Sequence, residues 1–116
     1  MRQPTLFEQQ TKRGAADAER IVLFALGDFQ ARGKVLAERD LPLDRLRGAL
    51  RRSTDAHDRE ELSDQEAVAA FRALGAEVRQ VPPFVAKHPF RVTVSSELAE
   101  RSRRAYNEIL DSLKED

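Results

Sequence analysis

Residues 63–113 read SDQEAVAAFRALG (63–75), AEVRQV (76–81), PPFVAKHP (82–89), FRVTV (90–94) and SSELAERSRRAYNEILDSL (95–113). The patterns run helix, strand, loop, strand, helix. Ser63 stands three positions ahead of Glu66 and leads into an apolar run. This is the capping-box arrangement, in which each side chain satisfies a backbone N–H at the helix start. Ala67, Ala70, Phe71 and Leu74 share one face at helical spacing, bordered by Val68. Gly75 can take the left-handed conformation that closes a helix, so the spacing predicts a helix over about 64–74. A strand over 76–81 follows and is stopped by Pro82-Pro83. Phe90, Val92 and Val94 alternate with Arg91 and Thr93, the period of a half-buried strand over 90–94. Ser95 or Ser96 can cap a last helix over 96–113. Leu98, Ala105, Tyr106, Ile109, Leu110 and Leu113 give that helix an apolar stripe. Two strands alone make a marginal sheet in water. The hairpin therefore requires helices over one face, a third strand, or a partner's strand at an edge.

Upstream of this unit, residues 15–32 predict a helix. Ala18, Ile21, Val22, Ala25 and Phe29 form an apolar face that Leu23, Phe24 and Leu26 widen. A helix apolar over so much of its girth belongs in a core or a subunit interface. Gly27 within it marks a close crossing, Asp28 falls at the edge of the apolar face, and Gly33 is the stop. Residues 34–52 read as a short helix (34–39), a turn at Asp40-Leu41 and a second helix entered through Pro42 and reaching about residue 52. Arg45, Arg47, Arg51 and Arg52 lie on its outward face. A short helix, a turn and a basic helix make the outline of a helix-turn-helix. Residues 53–66 reverse the charge, and their carboxylates are placed to pair with the basic helix. The expectation is a small, helix-rich α+β single domain over 14–116, behind a flexible tail of residues 1–13.

The chain has 116 residues, with 20 Lys and Arg against 20 Asp and Glu, and no cysteine. This length suits one domain that needs no covalent staple. Without cysteine there is no disulfide and no thiolate metal site. A formal net charge of zero gives no global attraction for nucleic acid, so any such binding must rest on a local patch. No apolar run approaches the ~20 residues of a membrane span. The N-terminus lacks the apolar core of a secretory signal. A cytoplasmic protein is expected.

Gln3-Pro4-Thr5-Leu6-Phe7 stands out near the N-terminus. It resembles Q-x-x-L-F, the short peptide with which bacterial replication and repair proteins dock onto the sliding clamp. In such a peptide two apolar anchors, here Leu6 and Phe7, enter a surface groove while the Gln3 amide bonds at its rim. The resemblance implies a protein partner, the clamp, and a role in DNA metabolism. The Arg face of 42–52 adds a candidate phosphate contact through Arg45, Arg47, Arg51 and Arg52.

Catalytic chemistry finds no motif. There is no Gly-rich phosphate loop and no nucleophile elbow. His57 between Asp55 and Asp58 is the one cluster with metal-ligand residue types, but neighbours in an acidic loop do not converge as ligands must. His88 has no carboxylate near it in sequence. The sequence is thus read as a non-enzymatic accessory or regulatory protein without metal or cofactor. The alternative is a structural protein acting as a homodimer without nucleic acid, joined through helix 15–32 or a hairpin edge.

Overall fold

The computed structural model describes residues 6–82 and 89–114, with side chains from 16 to 112. Helix α1 (Leu6–Ala31) leads into strand β1 (Asp40–Pro42) and helix α2 (Leu43–Ala56). Helix α3 (Asp64–Ala73), strands β2 (Glu77–Gln80) and β3 (Phe90–Thr93) and helix α4 (Ser96–Lys114) complete the chain. This is a mostly helical α+β arrangement. The three strands form one antiparallel sheet in the order β1-β3-β2.

Helix α1 is the centre of the packing, in contact with α2, α3 and α4. Its Ile21, Val22, Ala25 and Leu26 are almost wholly buried. From α2, Leu43, Leu46, Ala49 and Leu50 meet this face at the spacing of a helical stripe. From α3 come Ala67, Val68, Ala70 and Phe71, and from the sheet Val92 and Val94. The backbone of α1 begins at Leu6, ahead of residue 15 where the sequence pattern started the helix.

Helix α3 is built as its sequence predicts. The Glu66 N–H donates to Ser63 Oγ, and the Ser63 N–H donates to Glu66 Oε1, each at 3.1 Å. Gly75 follows at φ +95° and turns the chain into β2. At α4 the cap is Ser95, whose Oγ accepts from the Leu98 N–H at 3.1 Å. Glu38 joins it by accepting from the Ser96 N–H at 2.9 Å. A negative charge beside these N–H groups is where a helix dipole favours one.

The expected two-stranded hairpin is extended by a third strand, one of the supports open to it. Leu41 pairs with Val92 and Pro42 with Arg91. This corrects the helix-turn-helix outline, because residues 34–39 form no helix and Asp40-Leu41 is strand, not turn. Glu38 sits at φ +61°, which no helix interior admits. Leu36 is buried whereas Val35 is 61 % exposed, so the two do not share the inward face a helix would give them. β1 lies at the sheet's edge, where a proline lacking an N–H is tolerated. Pro42 then serves as the N-cap residue of α2.

Candidate functional site

The four arginines expected to face phosphate all lie on α2, and the structure gives three of them carboxylate partners. Arg47 is paired with Asp64 at the start of α3 and, at 3.4 Å, with Asp44 one turn earlier. Arg51 approaches Glu61 at 3.8 Å. Arg52 reaches Asp28 on α1 at 2.7 Å through both Nε and Nη2. Arg45 is exposed and enters none of the ion pairs among the described residues. The acidic stretch after α2 therefore folds back on the basic helix. Exposed pairs of this kind contribute only about 0–1 kcal/mol each, so their main effect is to neutralise the patch.

Asp28 differs from these surface carboxylates. Its side chain is 8 % exposed and holds Arg52 together with Arg32, whose Nε lies 3.3 Å away. The edge position read from sequence becomes a buried bridge between α1 and α2. Beside it, Ser53 Oγ donates to the Ile21 carbonyl at 2.7 Å, fixing the same helix pair. Between α1 and α4, Gln30 Nε2 donates to the Ala99 carbonyl at 3.0 Å and to Ser102 Oγ at 2.9 Å. Both serines are fully buried.

His57 is a helix-end residue. Its Nδ1 stands 2.8 Å from the Ser53 carbonyl, and its ring meets Phe24 edge-on at 5.3 Å. Among the described residues, no group of three or more His, Cys, Asp or Glu converges as a metal site would require. His88 lies outside the described residues, as does Gln3. Leu6 and Phe7 enter the structure as the backbone that opens α1.

One cluster was invisible in the sequence because it needs β1. On the solvent face of the sheet, Arg79 and Arg91 stand opposite each other on β2 and β3. Like charges so placed repel. The carboxylate of Asp40, from β1 on the other side of β3, accepts from both, with Oδ2 at 2.8 Å from Arg79 Nη2 and Oδ1 at 3.4 Å from Arg91 Nε. Desolvation at the sheet pulls the Asp40 carboxyl upward. The hydrogen bond and charge of Arg91, then those of Arg79, more than offset it and hold the carboxyl below its ordinary value of 3.8.

The sign of the pH effect follows. The unfolded carboxyl takes its proton at the ordinary value and the folded one only at lower pH. The contribution is thus whole above 3.8 and is lost as pH falls through the folded value. A carboxyl NMR titration should place the Asp40 midpoint below 3.8, and Arg91→Ala should raise it. An Asp40 midpoint that ignores Arg91→Ala would contradict the cluster.

No family model matches the chain, and neither does a curated protein or a solved structure. Function must be argued from the residues themselves. Among the described residues, no helix is long and apolar enough to cross a membrane.

Proposed function

We propose that this is a non-enzymatic accessory protein that binds a protein partner through the peptide Gln3–Phe7. The resemblance of that peptide to the clamp-docking motif makes a sliding clamp the partner and DNA metabolism the setting. The observation that supports this reading is the start of α1 at Leu6. The apolar pair Leu6-Phe7 opens the helix that forms the centre of the core. A docked peptide would thereby be tethered to the folded domain with no linker between them.

The Arg face of α2 has a secondary place in this reading. Phosphate contact there would have to draw Arg47, Arg51 and Arg52 away from carboxylates already in place. Binding of duplex DNA by this face is expected to be weak and to fall steeply with salt. The homodimer alternative needs an open sheet edge or a free α1. Helix α1 is covered on several sides by its own chain. At β2, the Val81 N–H bonds the Pro89 carbonyl, which turns the Val78 carbonyl outward, and Arg72 Nη2 donates to it at 3.4 Å. A capped carbonyl on the outer edge works against a partner strand.

The test is recovery of the clamp. The wild-type chain should co-purify with it, whereas Leu6→Ala with Phe7→Ala should abolish recovery while the melting temperature of the domain stays within a few degrees. Equal recovery with both side chains removed would overturn the docking reading.

A further inference from the structure

A cleft of about 470 Å³ lies where the end of α1, the segment 33–37 and α4 meet. Three of its features bear on what it could bind. First, it holds Val35, the large hydrophobic side chain exposed among the described residues, beside the half-buried ring of Tyr106. Second, Lys34 and Arg103 line it from the 33–37 segment and from α4, and no carboxylate lines it. Third, these cations are poorly compensated. Lys34 enters no ion pair among the described residues, and Arg103 reaches only Glu100, on its own helix, at 3.8 Å. By contrast, Arg47, Arg51 and Arg52 of α2 are matched with carboxylates, and the sheet arginines with Asp40.

A concave site with an apolar wall and a few convergent polar groups is the usual form of a small-molecule site, and this volume is within its range. The geometry points to a binding site for a small organic anion with an apolar body. The body lies against Val35 and Tyr106, and the anionic head is held by Lys34 and Arg103. Asn107 offers a further polar group at the rim. Charge complementarity selects the anion, because a neutral ligand would leave both cations unmatched. This site lies at the opposite end of α1 from the docking peptide and does not depend on it.

The probe is octanoate, titrated into the full chain labelled with ¹⁵N and followed by amide shifts. Saturable shifts are expected at Val35, Ala37, Tyr106 and Asn107. Lys34→Ala with Arg103→Ala should weaken binding about tenfold or more, the size expected when charge-assisted hydrogen bonds are lost. Octanol should bind more weakly than octanoate by a similar factor. Val35→Asp, at an exposed position that leaves the core intact, should weaken octanoate as well. The proposal is overturned if millimolar octanoate gives no saturable shift. It is equally overturned if the shifts lie elsewhere, if octanol binds as well as octanoate, or if the double variant binds with unchanged affinity while its spectrum remains that of the folded chain.

Discussion

Asp28→Ala should destabilise the domain by about 3 kcal/mol, near the lower end for removing one member of a buried ion pair. The low end applies because the two partners differ in exposure. Asp28 is buried, but Arg52 is 39 % exposed at its side chain and can regain water once the carboxylate is gone. Two further losses add to this. Arg32 is left without its carboxylate, and a small void opens between α1 and α2. Urea denaturation should show a lower midpoint with an unchanged slope. Arg52→Leu combined with Asp28→Leu should recover much of the loss, since an apolar pair of similar size avoids the desolvation of two charges. A single variant as stable as the wild type would show that the bridge does not hold α1 to α2.

Gly27→Ala should cost about 2 kcal/mol or more, although alanine is the better helix former by about 1 kcal/mol. A Cβ at position 27 would stand 2.6 Å from the Ser102 carbonyl oxygen and would overlap the Tyr106 Cβ. A carbonyl inside a helix cannot swing aside. The two helices must part, and the bonds from Gln30 to Ser102 and Ala99 stretch with them. The melting temperature should fall by about 10 °C. Gly48 gives the internal control. A Cβ there meets only Arg52 Nη1, at 3.4 Å, the far end of a flexible side chain. Gly48→Ala should therefore stabilise α2 by about 0.5–1 kcal/mol. Opposite signs for the same substitution would locate the tight crossing at α1 and α4. A neutral or stabilising Gly27→Ala would contradict it.

What could be read in advance was the local part. The capping box of Ser63 and Glu66 needs residues three apart, and it formed. The close crossing at Gly27 was legible because a glycine amid a helix's apolar face has few other uses. The pairing of the acidic stretch with the Arg face was legible from their adjacency, and Arg47 with Asp64 and Arg51 with Glu61 carry it. Strand β1 was not legible. Its three residues have no periodicity of their own and become a strand only by pairing with Arg91, Val92 and Thr93, far along the chain. Without β1, the Asp40 cluster with Arg79 and Arg91 could not be foreseen. Nor could the burial of Asp28, Ser53 and Ser102, each of which is polar in sequence and hydrogen-bonded across to a second helix. The segment 34–39 was read as a short helix from its sequence alone. The left-handed Glu38 and its bond from the Ser96 N–H bind it to α4 instead.

The central claim is that the peptide at the start of α1 binds a protein partner. Calorimetric titration of purified bacterial sliding clamp into the full chain tests it most directly. The predicted result is saturable binding at one peptide per clamp groove, lost with Leu6→Ala and Phe7→Ala and kept with Arg51→Ala and Arg52→Ala. No heat of binding with the wild-type chain, or equal binding by the Leu6 and Phe7 double variant, would contradict it.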